Sequence, residues 1–278
     1  MSGAVVLEDA VRGALRRQVK HLRILAQYAR IGVVRKSQFR VELLSQVVMD
    51  CVWYSVKIAT FEVLFLYTKR IAGWSAPEVR LLLAYVFVSD SFMMMWLTRR
   101  WRFGRELKDG KLDAIRVRPA SPVVLYFFQD FSLEAGVNMA VAFGYLGFAT
   151  WRSGLPHGPA TWLLLAWAVA LAWWTFVVTC VMFAIADLWV LDSDISNLVS
   201  RVFDNTGSYP LDIFSKGLRQ LLLWVVPVGL IAYLPASLVL RRASPLAGLA
   251  ASAFILAFGW IVFRAWRWSF RRYESAMG

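Results

Sequence analysis

Apolar residues in this chain come in long runs, and these runs predict helices of membrane-spanning length. Residues 159–186 and 243–263 contain no charged side chain, and about 20 consecutive apolar residues suffice for a helix to cross a bilayer. Further runs predict spans at roughly 43–67, 80–97 and 123–150. The pattern predicts an all-α, polytopic membrane protein, because the strands of a β-barrel would alternate polar and apolar residues in short segments.

The first 40 residues have a different pattern, with nine basic and two acidic side chains. Apolar residues recur there at helical spacing (Val11, Leu15, Val19, Leu22 and Leu25), and basic residues fill much of the other surface (Arg12, Arg16, Arg17, Lys20 and Arg23). This predicts an amphipathic helix in the membrane interface over 1–40. The alternative is a soluble amphipathic helix packed on a partner. The segment is too charged for a cleavable signal peptide.

Charge predicts the topology of the remaining domain, residues 41–278. The formal net charge is +13 with 59% hydrophobic residues. Basic residues cluster beside the apolar runs, which favours anionic lipid over nucleic acid as their counterpart. Basic loops stay cytoplasmic. The N-terminus, the loop 99–122 and the basic C-terminal tail should therefore share the cytoplasmic side, and the number of spans should be even. We predict six.

The fifth span has two alternatives. Hydropathy selects 221–240, which contains Pro227 and Pro235. The other alternative is a short polar span near 195–209. Residues 210–242 would then form an outer elbow of two broken helices that dips into the membrane, which is tolerated where other protein covers it. We favour the second alternative. The sixth span is predicted over 246–263.

Several charged residues fall inside the predicted spans, where facing lipid would be costly. They are Asp50, Lys57, Glu62, Asp90, Asp130 and Glu134, with Asp194, Arg201 and Asp204 in the polar segment near the fifth span. Asp50 and Lys57 should share a helix face, and Asp130 and Glu134 should lie one turn apart. These groups either pair within the bundle or line a substrate path.

Motifs for enzymatic chemistry are absent from the sequence. It contains no phosphate-binding P-loop and no HExxH, and its two histidines, His21 and His157, lie in no nucleophile-elbow context. Cys51 and Cys180 fall in apolar runs, which indicates packing rather than a disulfide or a metal site. The aspartates within the spans lack the patterns of intramembrane proteases. We expect neither catalysis nor a bound metal or cofactor.

The loop between the second and third spans is short and charged, with eight basic and three acidic residues over 99–119. Its apolar side chains Leu107, Leu112 and Ile115 are sparse, Gly110 breaks any helix, and Pro119 and Pro122 end the segment. We expect a short helix and a turn just off the membrane. The apolar side chains would insert into a partner's groove while the charges set orientation.

This loop resembles that of ABC-2 type transporter permeases, in the subgroup that reads roughly I-x-x-G-x-L-D-x-x-L-x-R-P-x-x-P. The matching residues are Gly110, Leu112, Asp113, Arg118, Pro119 and Pro122. The lead-in AQYARIGVVRKSQF and the proline-rich segment starting at YPLDIF fit the same subgroup. The chain departs from the pattern at IRVRP, where a leucine-rich approach is expected.

The resemblance implies six spans, an interfacial N-terminal helix, a coupling helix between spans two and three, and outer elbow helices before span six. It also implies an exporter of two permeases, identical or related, with two separate ATP-binding subunits that hold the ATP and magnesium. The coupling helix would contact the ATPase through Arg105, Glu106, Leu107, Lys108, Asp109, Gly110, Lys111, Leu112 and Asp113. The expected location is the bacterial cytoplasmic membrane, and the expected cargo is amphiphilic, drug-like or lipid-like.

Two other functions stay open. A proton-coupled secondary transporter could use Asp50, Asp90 or Asp130 as proton carriers, although the sequence lacks the internal repeat that is common in such proteins. A non-transporting subunit that couples a membrane signal to an ATPase is the other alternative.

Overall fold

Helices dominate the computed structural model, which describes residues 2–156, 158–190 and 207–272, with side chains from residue 18 onward. We number the helices in chain order. They are α1 (Ser2–Ser37), α2 (Arg40–Tyr67), α3 (Ala76–Trp96), α4 (Phe103–Lys108), α5 (Asp113–Arg116), α6 (Pro122–Phe127), α7 (Leu133–Arg152), α8 (Pro159–Trp189), α9 (Lys216–Gln220), α10 (Tyr233–Val239) and α11 (Pro245–Arg272). A 3-10 turn, Thr98–Arg102, leads from α3 into α4.

Helix α3 is the centre of the bundle. Its residues from Leu81 to Val88 are buried around the whole helix circumference, as expected for a helix that is apolar on all sides. Its start is fixed by a capping box, in which Ser75 and Glu78 satisfy each other's backbone N–H groups. Helices α2, α7 and α8 and the segment with α10 pack around it.

The predicted apolar runs match observed helices closely for α2, α3, α8 and α11. Within the described residues, α3, α8 and α11 are long and apolar enough to cross a membrane. Residues 216–239 pass the same test only as a bent pair. The chain is thus all-helical in its described parts, with three or four helices of membrane-spanning length and composition.

The predicted third span over 123–150 is wrong as one helix. Helix α6 ends at Phe127, and α7 begins at Leu133, where the Ser132 hydroxyl accepts a bond from the Ala135 N–H at 3.3 Å. Asp130 lies in the break and not one helical turn from Glu134. The break is stabilised from outside the segment, because Arg99 reaches Asp130 at 3.6 Å.

A straight span over 221–240 is also excluded. After α9, the chain forms a π-helical turn (Leu221–Val225) and a 3-10 turn (Val228–Leu230) before α10. The two halves are bent by 73° at a break that contains Pro227, a residue that cannot continue helical hydrogen bonding. The alternative fifth span, near 195–209, falls almost entirely outside the described residues.

A polar cluster holds this bent segment against the start of α3. Asp212 accepts bonds from Trp74 at 2.8 Å, Arg219 at 2.6 Å and Tyr233 at 3.0 Å. Arg242 then bonds both carboxylate oxygens of Glu78 at 2.8 Å. Since Trp74 precedes α3, this cluster lies at the end of α3 opposite the loop 99–122.

Candidate functional site

The charged loop (residues 99–122) folds as two short helices joined by a glycine turn. Helix α4 ends in a Schellman motif: the Lys111 N–H bonds the Glu106 carbonyl at 3.0 Å, and the Gly110 N–H bonds the Leu107 carbonyl at 3.1 Å. Gly110 has φ +67°, a left-handed conformation that glycine adopts without strain. The turn then leads into α5 and, through Pro119 and Pro122, into α6.

Replacing Gly110 with alanine should cost about 1 kcal/mol, because a Cβ is strained at this φ. That loss should lower the unfolding midpoint by about 2–4 °C. The midpoint can be read in a Cys51→Ser background from the reaction of buried Cys180 with a fluorogenic maleimide, here called the Cys180 assay. Gly110→Asn should lose less, since asparagine tolerates the left-handed region. Equal losses for the two variants would contradict the backbone explanation.

The three apolar side chains predicted to contact a partner point into the protein. Leu107 and Leu112 are 1% exposed and Ile115 is 7% exposed, all in the core cluster that also contains Phe103. The prediction that they insert into a partner's groove is therefore wrong. Their spacing fits an apolar face, but sequence could not tell which protein buries it.

The exposed side of the loop is charged. We define the charged ridge as its exposed residues, which are Arg102, Arg105, Lys108, Asp109, Lys111, Ala114, Arg116, Val117, Arg118 and Pro119. Among the residues expected to contact an ATPase, Glu106, Leu107, Gly110 and Leu112 are buried, and Asp113 is half-buried. A partner that approached the loop would meet mainly cationic side chains.

A buried carboxylate anchors the loop to α6. Glu106 accepts bonds from the Arg99 Nε at 2.9 Å and from the Tyr126 hydroxyl at 2.9 Å. The Arg99 guanidinium also lies 5.2 Å from the centre of the Tyr126 ring. Charged groups are rarely buried unless paired, so Glu106 supports the loop from inside. Sequence reasoning missed Arg99 and Tyr126, although a carboxylate amid so many cations was a signal.

Helix α1 lies along the far end of the charged loop and beyond it. Lys20 donates to the Pro119 carbonyl, and His21 accepts from the Ser121 N–H at 3.4 Å. At Gly32 the helix comes so close to the break before α7 that a Cβ would lie 2.5 Å from the Phe131 oxygen. Among the described side chains of the predicted apolar face of α1, Val19 and Leu22 are exposed and Leu25 is half-buried. That exposure fits an interfacial helix.

The second attachment of α1 is an ion pair. The Lys36 ammonium lies 3.1 Å from Glu134 at the start of α7 and 3.2 Å from Glu42 in α2. Burial acts to lower the pKa of Lys36, but the hydrogen bonds and charges of the two carboxylates outweigh it, so that the pKa is raised. Lys36 therefore stays charged and joins three helices.

The charged residues predicted within the spans are held by partners inside the bundle. Asp50 accepts bonds from Gln46 at 3.3 Å and from Asn138. Lys57, on the same helix, bonds the Ser208 hydroxyl at 3.0 Å and not Asp50. The remaining described pairs are Glu62 with Arg80, Asp130 with Arg99, and Glu134 with Lys36. Asp194, Arg201 and Asp204 lie outside the described residues.

A small recess lies beside Lys57. Asp90, Ser89 and Ser208 line it, and its volume is about 10 Å³, which corresponds to roughly one water molecule. The contacts of the described charged groups fit the first alternative, in which these groups pair within the bundle. A recess of this size would need to open before a larger molecule could pass.

Comparison with known proteins assigns the chain to a family. Searches of curated proteins and of solved structures found no match. A family model described as ABC-2 family transporter protein matches residues 51–277, which include α3, the charged loop and every later described helix. The match covers most of the chain and includes the loop from which the resemblance was argued. The chain belongs to the ABC-2 family of transporter proteins.

Proposed function

We propose that the chain is the membrane-spanning subunit of an ATP-driven exporter of small amphiphilic, drug-like or lipid-like molecules. Membership of the family makes it the membrane component of an ABC transporter, which works with an ATP-hydrolysing subunit and is not itself catalytic. Two ATPase subunits and a second permease, identical or related, complete the proposed exporter. The ATPase subunits would bind ATP and magnesium.

The observation that carries this proposal is the two-sided charged loop. Its leucines are buried in the core, and Glu106 ties it to α6 through Tyr126. Its charged ridge remains exposed. A loop held by these contacts can transmit a displacement to the helices against which it packs, since packed helices move as rigid bodies. The ridge is where an ATPase would contact this subunit.

The proposed topology has six spans: α2, α3, α7, α8, a fifth near 195–209 and α11. Helices α2 and α7 count as spans because buried Asp50 of α2 accepts a bond from Asn138 of α7, and Glu62 of α2 pairs with Arg80 of α3. Basic residues at 1–40, 99–122 and 264–272 support cytoplasmic termini and a cytoplasmic charged loop. The Asp212 cluster would then hold the bent segment as an outer elbow. The proposed location is the cytoplasmic membrane of a bacterium.

Reversing charge on the ridge should separate the chain from its ATPase. In a pull-down of the tagged chain from solubilised native membranes, mass spectrometry should identify an ABC ATPase. Arg105→Glu with Lys111→Glu should lower its recovery about tenfold or more, because opposed charges at an interface become like charges. Both side chains are exposed, so the Cys180 assay should show an unchanged midpoint.

The matched control is Lys69→Glu with Arg70→Glu, an equal charge change on exposed residues at the opposite end of α3. It should leave the recovery of the ATPase unchanged. Recovery that is insensitive to the ridge variant would contradict docking at the charged loop. In reconstituted vesicles, substrate movement that ignores ATP and follows a proton gradient would contradict the exporter and favour a secondary transporter. ATP hydrolysis without movement of any substrate would favour a signal-coupling subunit.

A further inference from the structure

One exposed stripe of α11 is apolar over most of the helix length. Leu249, Ala253, Leu256 and Trp260 recur at intervals of three and four residues, and all are exposed. Trp260 is 61% exposed and Leu249 60%. Residues at this spacing lie on one helix face. In a helix that crosses a membrane, such a face is covered by acyl chains or by another apolar helix.

The same stripe continues as arginine. Arg264, Arg267 and Arg271 follow Trp260 at intervals of four, three and four residues and are exposed. At about 100° per residue, these three and Trp260 fall within a sector of about 60°. Helix α11 contains no acidic residue. The basic face therefore lies directly in line with the apolar face, so that a molecule covering one would reach the other.

Tryptophan side chains lie where the stripe changes from apolar to basic residues. Arg264 lies 5.4 Å from the centre of the Trp260 ring, and Arg272 lies 4.3 Å from that of Trp268. Trp268 also stacks on Trp189 of α8 at 5.1 Å. Tryptophan is enriched at the level of lipid headgroups. The arginines thus lie at the depth where lipid phosphates are found.

We infer that this surface, the α11 arginine stripe (Arg264, Arg267 and Arg271 with Trp260), binds an anionic phospholipid. The acyl chains would lie along Leu249–Trp260, and the three guanidinium groups would surround the headgroup phosphate. A single molecule with an apolar tail and an anionic head matches both halves of the stripe. A zwitterionic lipid matches less well, because the cation of its headgroup would approach the arginines. This inference requires α11 to cross the membrane but does not depend on an ATPase partner.

Lipid selectivity of the purified full chain tests the inference. The chain would be reconstituted in nanodiscs of equal parts phosphatidylglycerol and phosphatidylcholine with matched acyl chains, then extracted, and its retained lipids measured by native mass spectrometry. We expect phosphatidylglycerol to be enriched. Each Arg→Gln change in the stripe should lower the enrichment about fivefold, up to complete loss in the triple variant. The triple Arg→Lys variant should keep most of it.

The control is the triple variant Arg105→Gln, Lys108→Gln and Lys111→Gln, which removes the same charge from the charged loop. It should retain the enrichment. Equal enrichment in the wild type and the stripe variant would overturn the inference, as would equal losses in the stripe and control variants. A stripe variant that instead loses a dimer, seen by its mass in detergent, would show that a second copy covers the stripe. A stripe variant that no longer recovers the ATPase but keeps its lipid selectivity would contradict this inference and leave the exporter proposal standing.

Discussion

Replacing Leu112 with aspartate should destabilise the protein by about 4 kcal/mol or more, which would make it the most damaging single change in the charged loop. Leu112 is 1% exposed within the core cluster. The change removes apolar contacts and buries a carboxylate in a site that holds a leucine side chain. In the Cys180 assay the unfolding midpoint should fall by about 10 °C or more.

Val117→Asp is the matched control for this variant. Val117 belongs to the same loop but is 83% exposed, so its unfolding free energy should change by no more than about 0.5 kcal/mol. If Leu112→Asp left the midpoint unchanged and lost only the ATPase, Leu112 would contact the partner after all. The orientation of the loop described above would then be wrong.

Removing the Arg99 side chain should cost about 3 kcal/mol, because it leaves a buried carboxylate without its cation. The Glu106 side chain is 8% exposed, and Arg99 supplies its ion pair at 2.9 Å. The same Cys180 assay measures the loss for Arg99→Ala. Adding Glu106→Gln should recover part of the stability, since the amide oxygen can still accept from Tyr126 while the charge is gone.

Lys111→Ala supplies the comparison. Its ion pair with Asp109 is 3.0 Å long, but the two side chains are 55% and 47% exposed. Exposed pairs contribute about 0–1 kcal/mol. The midpoint of this variant should therefore stay close to that of the wild type. Similar losses of stability for Arg99→Ala and Lys111→Ala would show that the burial of Glu106 does not determine the effect of removing Arg99.

Continuous apolar runs made the long helices predictable. The uncharged run 159–186 lies within α8, and the sixth span predicted over 246–263 lies within α11. Hydrophobic length identifies such helices without knowledge of their neighbours. The charged loop was also found from sequence, since Gly110 and the prolines mark where its helices must end.

Contacts between distant residues account for what sequence did not reveal. The break before α7 contains neither proline nor glycine, and Asp130 is held there by Arg99, which is 31 positions away. The Ser132 cap was a local signal for the start of α7, but the apolar residues around it favoured one continuous helix. Likewise, the spacing of Leu107 and Leu112 predicted an apolar face without indicating that it turns inward.

The docking of α1 was the least predictable feature. It depends on Gly32 meeting Phe131 and on Lys36 meeting Glu134, and neither pair has a pattern in sequence. The amphipathic pattern correctly predicted a helix, but the contacts with the rest of the protein come from a face other than its apolar stripe. Close approach of two backbones is decided by shape, which a linear pattern of polarity does not encode.

The two attachments of α1 have a mechanical consequence. Between Lys20 and Lys36 the helix rises about 24 Å, and these residues fix Pro119 at one end and Glu134 at the other. A helix attached at both points keeps their separation constant. The interruption between α6 and α7 is thereby prevented from acting as a hinge. A displacement of the charged loop would therefore be passed to α7 through α1 as well as through α6.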